Sequence, residues 1–395
     1  MKPWAPRVVG YYTAWGAASK GYTPACIPAE KLTHINYAFA AISPNSHRCI
    51  LGDEQADIQR VFSAEESVDG KPDKPGPEAD GLRGNFNQLR KLKEKHPHLK
   101  VLISIGGWTG SDEFTDLAQT SDARREFARS CIELYFRKYP GLFDGIDIDW
   151  EFPVSGGLRE GRPQDRQNFT LLLEEFRRQV DQQGQADSKG YLLTAATSAR
   201  PQEYANLDLE KVVEYLDWIN LMAYDFHISS EVKTNFNAPL FPYPNDPSAG
   251  PDIWEHYNCD AAVKGYLKTG VPPDKLVLGV PFYGRGWQGV PAANQGLFQP
   301  VKGPAQGAGG AGMFDYAEIV KDHLPFSQRY WHPDAQVPWL YQPDRGVFIS
   351  YDDTYSLRLK AEYVKEHSLG GVMFWELSGD DPRDSLIDAL RDGLQ

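Results

Sequence analysis

Four carboxylates stand close together in the stretch F-D-G-I-D-I-D-W-E-F-P, residues 143–153: Asp144, Asp147, Asp149 and Glu151. Apolar residues separate them, which is typical of a buried strand rather than of a solvated acidic segment. Side chains alternate along a strand, so we expect Asp147, Asp149 and Glu151 to share one face. Asp144 has the opposite parity and precedes the strand proper. Along the strand, Asp149 and Glu151 should lie roughly 6.6 Å apart.

Three carboxylates on one buried face cannot all be ionised, so at least one should have a raised pKa. A carboxyl that keeps its proton near neutral pH can act as a general acid. One alternative is a buried polar network that fixes the strand register, and another is a Mg²⁺ or Ca²⁺ site. Ligands spread over roughly 13 Å of one straight strand cannot converge on a single ion. We therefore expect acid chemistry, with no metal and no cofactor.

The acidic strand is one of eight apolar, β-branched runs. These runs are near-continuous rather than alternating, as in parallel strands buried on both faces. Helical patterns over 85–95, 122–139 and 165–180 separate several of them, so the sequence predicts an α/β fold, a (β/α)8 TIM barrel. An open doubly wound sheet is the runner-up, but no G-x-G-x-x-G follows the first strand. The eight runs cover residues 7–13, 33–42, 100–107, 143–151, 191–198, 217–224, 275–283 and 370–377.

In a barrel, Glu151 would stand last on the inward face of the fourth strand, at the C-terminal mouth where barrel enzymes carry out their chemistry. The connection from Gly284 to Leu369 is too long for a barrel loop. It predicts a small α+β insertion at 288–345, between strand 7 and helix 7, which leaves 1–287 and 346–395 as the catalytic barrel. We expect a polar surface loop at 67–81.

Charge and composition exclude several kinds of partner. The 395 residues carry a net charge of −13, with a pI near 5.2, so neither nucleic acid nor an anionic membrane is an expected partner. No apolar run approaches the roughly 20 residues of a membrane span. The first residues contain no apolar signal segment, so we expect a cytoplasmic protein, or a secreted one if a signal was removed. We expect a monomer. The sequence leaves open whether Cys26 and Cys49 pair.

The acidic motif, D-x-x-D-x-D-x-E followed by F-P, resembles the signature of the family-18 glycoside hydrolases, the chitinases. Further motifs occur in the order expected for that family, so the resemblance covers essentially the whole chain, from V-G-Y-Y at 9–12 to Trp375. These motifs are S-I-G-G-W (104–108), M-A-Y-D (222–225), P-F-Y-G-R-G-W (281–287), F-D-Y-A-E-I (314–319) and F-W-E-L (374–377).

The resemblance implies a role for each matching residue. Glu151 is similar to the proton donor, Asp149 to the carboxylate that orients the N-acetyl group of the substrate, and Asp147 to its buried proton-sharing partner. Tyr224 resembles the hydroxyl that holds the acetamido group, and Trp375 the floor beneath the distorted sugar. Substrate contacts are implied for Tyr11, Phe39, Trp108, Met222, Asp225, Tyr283, Arg285 and Trp375.

The implied reaction is a retaining, substrate-assisted hydrolysis of β-1,4 bonds in chitin or chito-oligosaccharides, through an oxazolinium ion. Five tryptophans after the strands or in the insertion are predicted to line the sugar cleft, one or two of them being plain packing: Trp15, Trp108, Trp287, Trp331 and Trp339. The insertion is predicted to form one wall of the cleft and to stack along the sugar chain through Tyr330, Trp331, Trp339 and Tyr341. The alternatives are an endo-β-N-acetylglucosaminidase and a chitin-binding lectin. Glu at position 151 favours an enzyme.

Overall fold

Eight parallel strands organise the protein, which a computed structural model describes at residues 4–74, 82–244, 246–247 and 250–395. Backbone hydrogen bonds join the strands in chain order, and β1 pairs with both β2 and β8. The predicted (β/α)8 barrel is therefore confirmed. The strands are β1 (Arg7–Thr13), β2 (His34–Ile42), β3 (Lys100–Gly106), β4 (Gly145–Asp149), β5 (Leu192–Ser198), β6 (Trp218–Met222), β7 (Leu276–Pro281) and β8 (Gly371–Trp375).

Helices alternate with these strands. The three helical patterns in the sequence correspond to α1, α2 and α3, and α3 extends to Asp187, beyond the predicted end. The longer helices are α1 (Gly84–Lys95), α2 (Ser121–Ile132), α3 (Asp165–Asp187), α4 (Leu209–Tyr215), α5 (Cys259–Lys268), α6 (Thr354–Glu366) and α7 (Ser385–Leu394).

One compact unit comprises residues 7–197 and 205–219 and includes β1 to β4. Every residue of β4 is buried. Trp150, directly after β4, stacks on Phe114 with ring centroids 5.2 Å apart and meets Phe169 of α3 edge-on. The apolar residues of the acidic stretch thus pack towards the helices, which leaves the opposite face to the carboxylates, as predicted.

The second unit comprises residues 4–6, 198–204 and 220–395 and includes an antiparallel sheet. This sheet begins at Tyr283 and ends at Ser350. The boundaries 288–345 of the insertion domain stay a prediction. The sheet consists of Tyr283–Gln288, Gly303–Pro304, Met313–Asp315, Gln328–His332, Val337–Gln342 and Val347–Ser350.

Three aromatic residues that we predicted to line the sugar cleft are instead core residues. Trp287 is fully buried, Trp339 is 5% exposed and Tyr341 is 3% exposed, and together with Phe348 they form the apolar core of the antiparallel sheet. Two of the five tryptophans, Trp287 and Trp339, are thus plain packing, as expected for one or two of them. The predicted sugar stacking of Trp339 and Tyr341 was wrong, because stacking on a sugar and packing on another ring require the same flat apolar surface. Tyr330, half-buried, stacks on Trp339.

The other three tryptophans that were predicted to line the cleft are accessible. Trp15 and Trp108, in the first unit, are 43% and 47% exposed. Trp331, in the second unit, is half-buried, with its ring centroid 5.0 Å from that of Tyr355.

Several smaller expectations concern loops and cysteines. Residues 67–74 of the predicted polar loop form turns and irregular structure, and 75–81 lie outside the described residues. Cys26 and Cys49 both carry free thiols, as do Cys131 and Cys259. Among the described helices, none has the length and apolar character needed to cross a membrane.

Asp144 anchors the start of β4. Its carboxylate is 4% exposed and accepts hydrogen bonds from the Val101 amide (2.9 Å), Lys93 (2.7 Å) and Lys189 (2.8 Å). Burial alone would raise the pKa of this carboxyl, but the Lys93 charge and the hydrogen bonds lower it below its ordinary value of 3.8. Asp144, the one acid that lies outside the face shared by the other three, therefore forms structural ion pairs with Lys93 and Lys189.

We predict that Asp144→Asn lowers the free energy of unfolding by about 2–4 kcal/mol at pH 7, because the half-buried ammonium groups of Lys93 and Lys189 lose their counter-charge. The folded pKa is depressed, so the stabilisation is present above pH 3.8 and is lost as the pH falls through the folded pKa. Urea unfolding at pH 7 and below pH 3.8 measures the difference in unfolding free energy between the wild type and Asp144→Asn. Asp122→Asn, which breaks an exposed pair with Arg125, is the control. Equal effects from the two substitutions would contradict the prediction.

Candidate active site

Three hydroxyl groups hold the carboxylate of Asp147, in the middle of β4. Oδ2 accepts hydrogen bonds from Tyr11 and Ser104, both at 2.7 Å, and Oδ1 accepts one from Thr194 at 2.5 Å. Ser104 and Thr194 are the register partners of Asp147 on β3 and β5, so neighbouring strands present their hydroxyls side by side. Asp147 is fully buried, and an ionised carboxylate, which only accepts hydrogen bonds, matches this set of donors.

Asp149, the last residue of β4, is placed differently. It is 3% exposed, and its Oδ1 has no hydrogen-bond partner among the described residues. Burial raises its pKa well above the ordinary value of 3.8, and the negative charges of Glu151 and Asp147 raise it further. Asp149 therefore keeps its proton at a pH where an exposed aspartate is ionised.

Glu151 lies two residues beyond the end of β4 and is half-buried. Its amide donates a 2.9 Å hydrogen bond to Oγ of Ser111, and the peptide bond from Glu151 to Phe152 is cis. A small pocket beside Glu151 contains both carboxylate and guanidinium groups. The other residues that line it are Ser111, Asp112, Thr115, Trp150, Phe152, Arg159 and Gly161.

The loop after β3 approaches the end of β4 closely. Gly107 donates its amide to the carbonyl of Asp149 at 2.8 Å. Gly106 has φ +111°, and a Cβ there would lie 2.2 Å from that carbonyl oxygen, so only glycine fits. At Gly107 a Cβ would lie 2.6 Å from the ring of Phe39. Trp108, the next residue, is exposed.

The second unit places four of the predicted site residues together. Arg285 donates two hydrogen bonds to the carboxylate of Asp225, both 2.7 Å long, in a bidentate pair. Its guanidinium lies 5.2 Å from the ring centroid of Tyr283, and that ring meets Tyr224 edge-on at 6.1 Å. Burial raises the pKa of the Tyr283 phenol, and the charge of Asp225 raises it further, so the phenol stays protonated.

Tyr224 and Asp225 follow the end of β6, where Met222 is half-buried. The Tyr224 hydroxyl lies 3.9 Å from Sδ of Met373, on β8. Trp375 is the last residue of β8 and is half-buried. The roles that the resemblance implies for these residues stay predictions.

Several supporting residues escaped the sequence analysis. Ser104, Thr194 and Ser111 contact the β4 acids, and Asn237 and Arg200 hydrogen-bond to the main chain of Asp225. Ser104 stands in the S-I-G-G-W motif, but its partner becomes evident only when β3 and β4 are aligned in register. Serine, threonine and asparagine are common on surfaces, so their residue types alone carry no signal.

We predict that Asp149→Asn and Asp147→Asn change stability in opposite directions at pH 7. Unfolded Asp149 releases its proton near pH 3.8 and folded Asp149 does so only at higher pH, so wild-type stability falls as the pH rises above 3.8. Asp149→Asn removes that loss, and its stabilising effect should grow with pH. Asp147→Asn replaces a hydrogen-bond acceptor with a donor and should cost about 1–3 kcal/mol.

Chemical denaturation of both variants between pH 4 and pH 8 measures these effects, and circular dichroism verifies that each variant is folded. If Asp149→Asn destabilises the protein throughout this range, Asp149 is not held protonated by its surroundings.

Comparison with known proteins gives one consistent family. The model of glycosyl hydrolases family 18 matches residues 7–380. Chitinase A1 of Niallia circulans is 41% identical over 408 residues, which cover 95% of this chain and 56% of that protein. Chitinase C of Streptomyces lividans is 35% identical over 382 residues, covering 94% of this chain and 57% of that protein. The chain thus spans little more than half the length of these two relatives.

A solved structure agrees with both findings. The catalytic domain of the psychrophilic chitinase B from Arthrobacter TAD20 is 33% identical and superposes with a TM-score of 0.91, over 98% of this chain and 95% of that one. The family model, the relatives and the solved structure all extend over nearly the whole sequence, as do the motifs that predicted the family. The chain belongs to the glycosyl hydrolases family 18.

Proposed function

We propose that this chain is a chitinase, which hydrolyses β-1,4 bonds between N-acetylglucosamine units with retention of configuration and with the help of the substrate's own acetamido group. The observation that carries the proposal is the contrast between the two buried acids of β4. Asp147 is held by three hydroxyl donors, whereas Asp149 has an oxygen without a hydrogen-bond partner in the described part of the chain and a raised pKa.

That contrast argues against an ordinary double displacement. A retaining glycosidase of the usual kind uses an ionised carboxylate as nucleophile, about 5–5.5 Å from the general acid. Asp149 is the carboxyl nearest to Glu151 along the strand, and a protonated carboxyl is a poor nucleophile. It can, however, hydrogen-bond to an amide. The acetamido oxygen of the substrate would then attack the anomeric carbon in place of an enzyme carboxylate.

In this scheme Glu151 protonates the glycosidic oxygen as the bond to the leaving sugar breaks. Asp149 is proposed to orient the acetamido group by accepting a hydrogen bond from its N–H. It stabilises the positive charge that develops there once its own proton has passed to Asp147, its proposed proton-sharing partner. Water then attacks the anomeric carbon of the oxazolinium ion, and Glu151 takes back a proton from that water. The net configuration is retained, because the anomeric carbon is inverted twice.

The roles of the other residues follow the family resemblance and belong to the same proposal. Tyr224 is proposed to hold the acetamido group and Trp375 to floor the sugar. Tyr11 was predicted to contact the sugar, but its side chain is 1% exposed and its hydroxyl donates to Asp147, so we propose that it supports the acid set instead. Sugar contacts are proposed for Phe39, Trp108, Met222, Asp225, Tyr283 and Arg285.

Two alternatives remain distinguishable by assay. An endo-β-N-acetylglucosaminidase would release the glycan from an N-glycoprotein and leave long chito-oligosaccharides intact. A lectin would bind chito-oligosaccharides without turnover. Hydrolysis of a fluorogenic chitotriose glycoside, with no release of N-glycans, supports the proposal.

We expect Glu151→Gln to lower kcat on that substrate by several orders of magnitude while oligosaccharide binding is kept, because the amide cannot donate a proton to the leaving group. Calorimetric titration with chito-oligosaccharide measures binding, and Glu160→Gln, which alters an exposed glutamate of the following loop, is the matched control. Near-normal turnover in Glu151→Gln would falsify the assignment of the general acid.

The substrate-assisted step has its own test. The first product should be the β-anomer, detectable by NMR of a freshly started reaction, and a cello-oligosaccharide should not be cleaved, because it carries no acetamido group. Rapid hydrolysis of the cello-oligosaccharide would exclude participation of the substrate and leave an enzyme carboxylate as the nucleophile.

A further inference from the structure

We infer that Ser111 is a positioning residue for the proposed general acid, because its hydroxyl ties the main chain on both sides of Trp150. The Oγ atom accepts a 2.9 Å hydrogen bond from the amide of Glu151 and lies 3.1 Å from the carbonyl oxygen of Asp149. It also lies 2.9 Å from the carbonyl oxygen of Gly107. This inference rests on the proposed function.

The hydroxyl is suited to this task. A serine has one proton and two acceptor positions, so Ser111 donates to the two carbonyls in a shared hydrogen bond and still accepts from Glu151. Ser111 is 6% exposed, and water therefore competes little for these bonds. A methyl group in the same place would leave a buried amide and a buried carbonyl with fewer partners.

The place of this contact in the fold explains its importance. The ladder between β3 and β4 ends at Gly106 and Asp149, and the ladder between β4 and β5 ends at Ile148. Glu151 therefore lies beyond the last register pair of its strand. The sheet provides no register partner for Glu151, and the Ser111 hydroxyl accepts the hydrogen bond from the Glu151 amide.

The loop that carries Ser111 is itself fixed to the same point. Gly107 donates its amide to the Asp149 carbonyl at 2.8 Å, and the amide of Gly110 is bonded to the Gly107 carbonyl at 3.1 Å. Phe114, three residues after Ser111, starts a short helix whose first ring stacks on Trp150. The hydroxyl thus joins two segments that already pack together, and the atoms it holds are those that set the direction of the Glu151 side chain.

Two consequences follow for catalysis. A carboxyl must lie within hydrogen-bond reach of the glycosidic oxygen to transfer its proton, so a small displacement of Glu151 lowers kcat more than it raises KM. The distance between Glu151 and Asp149 also determines how strongly the two carboxyl groups interact. Loss of the Ser111 contact should therefore change the pH at which Glu151 titrates, whereas a merely structural serine should change stability alone.

Ser130 provides a matched control. Its Oγ donates to the carbonyl of Phe127 at 2.7 Å and accepts from the amide of Cys49 at 2.9 Å, and its side chain is 2% exposed. It thus makes the same kinds of bonds in a comparably buried place, on α2 rather than beside the β4 acids. Ser130→Ala should cost stability without changing the chemistry.

The test compares Ser111→Ala, Ser111→Thr and Ser130→Ala with the wild type, after circular dichroism has verified folding. For Ser111→Ala we expect kcat on the chitotriose glycoside to fall about 10- to 100-fold with little change in KM, and the pH profile of kcat to shift. Ser111→Thr keeps the hydroxyl and should recover most of the rate. Unchanged kcat and pH profile in Ser111→Ala would overturn the inference, whether or not its unfolding free energy falls.

A second measurement does not depend on turnover. In protein labelled with ¹³C at glutamate carboxyls, the Glu151 resonance, assigned by its loss in Glu151→Gln, should titrate at a different pH in Ser111→Ala and at the wild-type pH in Ser130→Ala. Identical titrations in all three proteins would also overturn the inference. A wild type inactive on every chito-oligosaccharide, by contrast, would refute the proposed function and leave this titration to decide the role of Ser111.

Discussion

The proton held by Asp149 is the feature on which the account of this protein depends. Ionising a carboxyl that is buried next to two others is unfavourable, because little water is present to solvate the charge and the neighbouring carboxylates repel it. Asp149 is 3% exposed, and one of its oxygens has no hydrogen-bond partner among the described residues. Asp149 therefore keeps its proton. In the proposed scheme a protonated Asp149 can orient the substrate's amide and share its proton with Asp147.

The surroundings of the strand keep the three acids from behaving alike. Tyr11, Ser104 and Thr194 surround Asp147 with donors, and these donors suit a negative charge. Asp149 has no such set within the described structure, and Glu151 lies past the end of the sheet, half-buried and hydrogen-bonded through its main chain. Asp147, Asp149 and Glu151, spaced two residues apart, thus have three different environments. Neighbouring strands and loops present different groups to each of them.

The inward direction of the acids was predictable from the sequence, since strand parity alone puts Asp147, Asp149 and Glu151 on one face, and Trp150 packs on Phe114 on the other. The eight-stranded barrel was predictable for a similar reason, because each strand is an uninterrupted apolar run. The hydroxyls that hold the acids were not. Ser104 lies far from Asp147 in the chain, and their contact depends on the register between β3 and β4, which the apolar pattern does not determine.

The aromatic residues of the insertion show a second limit of sequence reasoning. Trp339 and Tyr341 occur in the segment where a sugar-binding wall was expected, and Trp287 directly precedes it, yet all three belong to one apolar core with Phe348. Alternation along strands could have suggested this, because Trp339 and Tyr341 are two residues apart and share one face. Which face is covered, however, depends on neighbours distant in sequence.

The most direct test of the account is the titration of Asp149 itself. In protein labelled with ¹³C at aspartate carboxyls, the Asp149 resonance can be assigned by its loss in Asp149→Asn and then followed against pH. The account predicts that this resonance keeps the chemical shift of a protonated carboxyl well above pH 3.8, the ordinary pKa of aspartate. A titration of Asp149 at or below pH 3.8 would contradict it.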